Sequence, residues 1–92
     1  MRTKISGRFW TIKYVPRILM RENGATHECW GETDLSKREI RVEESLKGKK
    51  RLEILIHELL HACLPILEEE CVDQMGKDIA NVLWKDGYRG EV

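Results

Sequence analysis

Two histidines and a glutamate in the segment HELLH, residues 57–61, have the types and spacing of a metal site. His57 and His61 are four residues apart, so on a helix both imidazoles project from one face within reach of one ion. Glu58 is turned about 100° around the axis from His57, which places its carboxylate beside the ion. This pattern is typical of sites where the carboxylate takes a proton from a water molecule held by the metal. At this chain's composition, about 0.01 such matches are expected by chance.

The motif lies in a strongly apolar stretch of the chain. The apolar positions are Leu52, Ile54, Leu55, Ile56, Leu59, Leu60, Cys63 and Leu64. They cover the whole circumference of a helix, which predicts a helix surrounded by protein. Histidines and a glutamate buried there would need partners, which a metal ion and its water supply. The alternative is that both histidines bond to core carbonyls while Glu58 reaches solvent.

A third metal ligand is expected from the acidic run that follows the motif. On a helical wheel with Val72 at 0°, the apolar stripe of the second helix centres near about −30°. That stripe consists of Val72, Met75, Ile79, Val82 and Leu83. Glu70, at about +160°, points away from the core, and Glu68 comes where the helix has barely begun. Glu69, at about +60°, borders the buried face and is the preferred third ligand.

Asp73 supports the choice of Glu69. At about +100° it lies on the same side of the helix, where it could hydrogen-bond to a ligand histidine. Gly76 and Ala80 lie at about +40° and +80°, and such small residues let another helix approach. The alternative for the acidic run is a solvated first turn, because carboxylates favour a helix N-terminus.

Other residues offer other ligand sets. The metzincin pattern needs a third histidine six residues after His61, where this chain has Leu67, so that class is excluded. Cys63 and Cys71 flank the motif and suggest a rival, a closed structural zinc centre of the His2Cys or His2Cys-Glu type. Cys63 lies about 120° or more from both histidines around the helix, so both cysteines are expected to be small buried residues instead. His27 is expected to lie on the surface near a turn, with a contact to substrate as the alternative.

The segments before the motif predict strands. Residues 8–15, RFWTIKYV, are rich in aromatic and β-branched side chains. Asn23-Gly24 is a strong turn signal before a second extended segment, CWGETD, at residues 29–34. After the turn DLSK, residues 38–44 alternate apolar and charged side chains, as a half-buried strand requires. These features predict a small, mainly antiparallel three-stranded sheet.

Two helices follow the predicted sheet. The first carries HELLH and should end at about Cys63, because Pro65 restricts Leu64 to extended geometry. The second runs through residues 67–87, LEEECVDQMGKDIANVLWKDG. The predicted fold class is therefore α+β, with the sheet followed by two helices in a single domain over residues 1–92.

The charges balance over the whole chain but not along it. Residues 1–51 carry 13 Lys or Arg against 7 acidic residues, and residues 52–92 carry 3 against 9. Neither basic stretch interleaves aromatic residues, so a mixed solvated surface is expected and a nucleic-acid partner is not. No apolar run approaches the roughly 18 residues of a membrane span, and the start of the chain lacks a signal-peptide core. Three cysteines without a C-x-x-C pair fit reduced thiols, so a cytoplasmic protein is expected.

The motif and its downstream acidic residues resemble those of a known class of enzyme. HELLH followed by Glu69 and, four residues later, Asp73 is similar to the gluzincin pattern, in which a downstream glutamate is a ligand. The short chain resembles the minimal zincin domains of phages and mobile elements, akin to ImmA/IrrE-type metallopeptidases. The convincing part covers residues 52–84. The spacer from His61 to Glu69 is only eight residues, which requires a tight turn between the helices.

The resemblance implies a zinc-dependent peptidase that acts on a peptide or protein substrate. His57, His61 and Glu69 would hold Zn²⁺, and Glu58 would be the general base and proton shuttle. A sheet edge beside the site would bind the substrate as an added strand.

Two further expectations follow from the resemblance. The oxyanion of the tetrahedral intermediate needs a hydrogen-bond donor, for which Tyr14, Tyr88 and His27 are the candidates. The alternative function is a catalytically inactive zinc-binding domain, an accessory or interaction module such as a phage encodes. Glu58 favours the enzyme, because a purely structural zinc site needs no base beside its first ligand.

Overall fold

A computed structural model describes residues 1–89 as six strands and two helices. In chain order they are β1 (Arg2–Ile5), β2 (Arg8–Val15), β3 (Leu19–Glu22), β4 (Ala25–Glu28), β5 (Gly31–Asp34), β6 (Glu39–Glu43), α1 (Gly48–Cys63) and α2 (Glu69–Lys85). The predicted α+β class and the two consecutive helices after the strands are confirmed. No helix within residues 1–89 is long and apolar enough to cross a membrane.

The main sheet has four strands in the order β1-β2-β6-β5. Its two outer pairs are antiparallel, and the central pair, β2 with β6, is parallel, with Ile12 opposite Ile40 and Tyr14 opposite Val42. This mixed sheet differs from the predicted three-stranded, mainly antiparallel one. β1 has only four residues, too few to show a clear alternation. The parallel pairing arises from packing between distant segments, which the sequence of either strand does not reveal.

β3 and β4 form a separate two-stranded hairpin. Asn23 and Gly24 at its tip have φ values of 51° and 79°. A two-residue type I′ turn requires positive φ at both positions, so the turn predicted at this dipeptide is confirmed. Met20 of β3 pairs with His27 of β4 across the hairpin. Neither strand was predicted from the sequence.

The core lies between one face of the main sheet and α1. Trp10 and Ile12 of β2 and their neighbours Ile40 and Val42 of β6 are buried, whereas Phe9 on the opposite face is exposed. The alternation predicted for both strands is therefore confirmed. Ile40 and Val42 are fully buried, and each contributes about 1.5–3 kcal/mol of transfer free energy.

α1 ends at Cys63, as predicted, and the chain then turns through Leu64 and Pro65. Every residue from 51 to 62 is buried or half-buried, in agreement with the expectation of a helix surrounded by protein. The buried apolar residues of α1 are Ile54, Ile56 and Ala62. The half-buried ones are Leu52, Leu55, Leu59 and Leu60. The exposed residues of α1 lie only at its two ends, at Lys49, Lys50 and Cys63.

The buried face of α2 lies elsewhere on the helix than predicted. Of the predicted stripe, Val72 is buried and Met75 and Leu83 are half-buried, but Ile79 and Val82 are exposed. Gly76 and Ala80, outside the stripe, are buried. The face centres near about +40° instead of about −30° on the same wheel. The shift of the buried face has a physical reason. Small side chains on one face let two helix backbones approach, and this close packing outweighs the burial of Ile79 and Val82.

Candidate metal centre

The three predicted ligands meet where α1 lies beside the first turn of α2. Glu69 Oε1 lies 2.8 Å from His57 Nε2, and Glu69 Oε2 lies 2.9 Å from His61 Nε2. The two imidazole ring centroids are 5.0 Å apart. One donor atom from each residue lies within 4.8 Å of the other two. The structure therefore brings together the residues that helix phase singled out.

This donor set suits a zinc ion. Two imidazole nitrogens and one carboxylate oxygen are usual ligands of catalytic zinc, where three protein ligands leave a position open. Neighbouring donors in a tetrahedral zinc site lie about 3.3 Å apart. The separations of 2.8 and 2.9 Å are hydrogen-bond distances to the two oxygens of Glu69, and one donor atom from each residue lies within 4.8 Å of the others, so side-chain rotations would have to set the donors around an ion.

The short connection between the helices places Glu69. The amide of Leu64 donates to the Leu60 carbonyl at 2.8 Å, and the amide of Leu67 donates to the Leu64 carbonyl at 3.1 Å. The turn is therefore as tight as the eight-residue spacer requires. Gly76 faces His57 where the helices meet: a methyl group there would lie 3.5 Å from the Cα and Cβ atoms of His57, an ordinary van der Waals contact.

The other glutamates of the acidic run do not join the cluster. Glu68 and Glu70 are exposed, and within residues 1–89 neither contacts a histidine. The Glu69 side chain is itself 68% exposed, whereas the histidine side chains are largely buried. The cluster thus opens toward solvent on the side of Glu69, where a ligand could enter.

Glu58 is buried beside the cluster, with only 7% of its surface exposed. The Thr33 hydroxyl of β5 lies 2.8 Å from Glu58 Oε1 and 3.0 Å from the Glu58 carbonyl oxygen. A methyl group on Gly31, also in β5, would lie 2.9 Å from Glu58 Cγ and Oε2. Thr33 of β5 therefore holds Oε1 of Glu58. Gly31 of the same strand leaves room for Oε2, because glycine has no side chain.

Burial raises the pKa of the Glu58 carboxyl above its usual value. The Thr33 hydrogen bond and the nearby histidines lower this pKa, and Glu69 raises it slightly. Desolvation disfavours the charged carboxylate, and its effect on this pKa is larger than that of the Thr33 bond and the histidines. The alternative in which Glu58 reaches solvent is therefore wrong. Thr33 and Gly31 were not predicted as site residues, since both lie more than twenty positions from the motif and no local pattern marks them.

A cavity of about 550 Å³ opens over the cluster. His27 lines it from the hairpin, together with Met20, whereas Tyr14 packs beneath the Arg51 guanidinium and Tyr88 lies exposed after α2. Of the three oxyanion candidates, His27 is the one that lines this cavity. The expectation of a surface position holds for His27, and the cavity makes contact with a substrate possible as well.

Asp73 lies on the Nδ1 side of His57 but does not hydrogen-bond to it, because Asp73 Oδ1 is 3.9 Å from that nitrogen. Its other oxygen accepts a 3.0 Å bond from Lys77. That bond lowers the pKa of the Asp73 carboxyl and raises the pKa of Lys77. A role in orienting His57 stays a prediction.

Cys63 and Cys71 are exposed, so the expectation that they are small buried residues is wrong. Cys63 is the last residue of α1, and Cys71 lies on the first turns of α2 away from the corrected buried face. The cluster of possible metal ligands within residues 1–89 includes neither cysteine. The closed structural zinc centre therefore has no support in the geometry.

No family model, no curated protein and no solved structure matches this chain. The resemblance to gluzincins rests on the motif residues alone. What the site can do follows from its own geometry: three donors for a metal ion, a buried carboxylate beside them, and an open cavity at the sheet edge.

Proposed function

We propose that this chain is a zinc-dependent peptidase. The observation that carries the proposal is the buried carboxylate of Glu58, held by Thr33 directly beside the cluster of His57, His61 and Glu69. A structural zinc site gains nothing from a buried acid next to its ligands, and the acid costs free energy to desolvate. A hydrolase needs such a group to move protons.

The ligand set leaves room for chemistry. His57, His61 and Glu69 would hold the ion, and no fourth protein donor joins them within residues 1–89. When bound, zinc would lower the pKa of a coordinated water molecule and polarise a substrate carbonyl. These are the two requirements for hydrolysis of a peptide bond near neutral pH.

Glu58 would transfer the proton. Thr33 occupies Oε1, so Oε2 is the atom free to accept a proton from the attacking water and to pass it to the leaving amine nitrogen. The raised pKa suits both steps, since a shuttle works best when its pKa approaches the working pH. His27, which lines the same cavity from the hairpin, would donate to the developing oxyanion.

β5 would position the substrate. It is the last strand in the order β1-β2-β6-β5, and within residues 1–89 no strand pairs with its outer side. Gly31 and Thr33 of this strand line the cavity beside Glu58. An extended peptide added to this edge would satisfy the strand's free backbone groups and pass the cluster.

Metal analysis combined with a proteolysis assay tests the proposal. The wild-type protein should bind zinc and hydrolyse a fluorescein-labelled casein, and Glu58→Gln should keep the zinc while losing hydrolysis. Zinc-free wild-type protein under metal-replete conditions would refute it. A zinc-loaded wild type without hydrolysis of any protein or peptide would favour the inactive zinc-binding module.

A further inference from the structure

The cavity over the cluster is one end of a longer groove. A second cavity of about 280 Å³ lies on the other side of the site, and the two share Gly31, His57, Glu58 and Glu69. Residues 31–33 and 35 line the larger cavity and residues 30 and 31 line the smaller one, so β5 and its flanking residues contribute to both. A chain lying along β5 would therefore place residues on both sides of the reacting bond.

The two ends of the groove differ in chemistry. The smaller end combines four charged side chains, Lys50, Glu53, Asp73 and Lys77, with the exposed indole of Trp30. These charges are already paired, at 3.6 Å for Lys50 with Glu53 and 3.0 Å for Lys77 with Asp73. Exposed pairs of this kind offer little net attraction for a charged ligand. The smaller end therefore provides little selectivity by charge.

The larger end carries apolar side chains from three separate segments. Met20 comes from the hairpin, Leu35 follows β5, and Pro65 lies between the helices. Met20 is 37% exposed and Leu35 is 52% exposed. Side chains from three segments that converge on one cavity form a binding surface, whereas isolated exposed apolar residues need no explanation.

The hairpin aims Met20 into the groove. Successive side chains of a strand point to opposite faces, and Met20 lines the cavity while its neighbour Leu19 lines neither cavity. His27, which pairs with Met20, lines the same wall. The hairpin thus supplies one apolar and one polar group to the lining of this cavity.

We propose that the larger end of the groove is a subsite for a bulky apolar side chain of an extended peptide bound along β5. This inference rests on the proposed peptidase function and names its substrate class: peptides with leucine, isoleucine, methionine or phenylalanine next to the cleaved bond on the side facing Leu35. The cavity of about 550 Å³ has room for such a side chain and for the adjoining backbone. Filling an apolar pocket discriminates between side chains by about 10- to 200-fold.

The test uses the full-length, zinc-loaded protein and a degenerate peptide library, with the products identified by mass spectrometry. Apolar residues should be enriched at one position beside the cleaved bond. Met20→Ser and Leu35→Ser should lower kcat/KM for an apolar peptide by about 10-fold or more. Leu19→Ser is the matched control, since Leu19 is 51% exposed, neighbours Met20 and lines neither cavity. It should leave cleavage unchanged.

Binding is measured separately from hydrolysis. Calorimetric titration of zinc-loaded Glu58→Gln with an apolar and a serine-substituted version of one peptide should show tighter binding of the apolar version. Cleavage without preference at any position would overturn the subsite and leave the peptidase standing. Selective binding by Glu58→Gln without hydrolysis by the wild type would support the subsite and refute the peptidase. If the peptides are neither bound nor cleaved, both the subsite and the peptidase function are refuted.

Discussion

Replacing Thr33 by valine removes the hydroxyl that holds Glu58 while it keeps the shape of the side chain. The hydroxyl lies 2.8 Å from Glu58 Oε1 and 3.0 Å from the Glu58 carbonyl oxygen. A hydrogen bond to a charged group contributes about 1.5–3 kcal/mol, and one to a neutral group contributes about 1 kcal/mol. The metal-free Thr33→Val protein should therefore be less stable than the wild type by about 2 kcal/mol when Glu58 is ionised.

The loss should depend on pH with a definite sign. Burial raises the pKa of Glu58 above its usual value of 4.5, so the folded protein binds this proton more tightly than the unfolded chain. The resulting stability is fully present below the unfolded pKa and is lost as pH rises through the folded pKa. The Thr33 bond lowers the folded pKa, so its removal raises that pKa further. The difference between variant and wild type should therefore be smallest at acidic pH and should grow as pH rises.

Urea unfolding of the metal-free proteins, followed by circular dichroism at about pH 4 and about pH 8, measures this difference. Thr33→Ser keeps the hydroxyl and should recover most of the stability at the higher pH. Thr11→Val makes the same change on β2, where within residues 1–89 the Thr11 hydroxyl makes no hydrogen bond. It should show no pH-dependent loss.

Two results would refute this reasoning. If Thr33→Ser lost as much stability as Thr33→Val, the hydroxyl would not be the group that holds Glu58. If the loss in Thr33→Val were the same at both pH values, the bond would not favour the ionised carboxylate. In both variants zinc binding should survive, because Thr33 contacts no ligand side chain.

Three further changes test other parts of the structure. Glu69→Ala should weaken zinc binding by more than about 100-fold in a chelator competition assay, whereas Glu70→Ala should leave the zinc affinity unchanged. If Glu70→Ala weakened binding instead, the contact of Glu69 with both histidines would not reflect the zinc-bound state. Gly31→Ala puts a methyl group 2.9 Å from Glu58, so we expect the protein to lose about 1–3 kcal/mol of stability and to hydrolyse peptides more slowly while it still binds zinc. Full activity of this variant would show that Glu58 need not lie against β5. Ile40→Ala should cost about 2–5 kcal/mol in urea unfolding, and a loss below about 1 kcal/mol would argue against the fully buried position of Ile40.

The parts of the fold that sequence reasoning predicted are those set by short-range geometry. The Asn23-Gly24 turn follows from positive φ at two adjacent residues. The end of α1 follows from the effect of Pro65 on the residue before it. The alternation in β2 and β6 follows from the two-residue period of a strand. Each depends on neighbours in the chain, so the sequence alone is sufficient to find it.

The phase of α2 shows where that reasoning stops. Counting large apolar residues predicted a stripe that includes Ile79 and Val82, both of which are exposed. The buried face instead consists of Val72, Gly76 and Ala80, and Gly76 lies against His57 of α1. Glu69 lies close to either face, and its place beside the histidines depends on this packing.

The sequence by itself determined which side chains could share an ion, because helical spacing fixes His57 and His61 on one face of any helix that forms there. Only the tertiary structure decided what surrounds them. The contact of Thr33 with Glu58 spans 25 positions, and the wall formed by Met20 and His27 comes from a hairpin outside the main sheet. Such contacts arise when distant segments pack together, and packing is selected by the shape and burial of the whole domain.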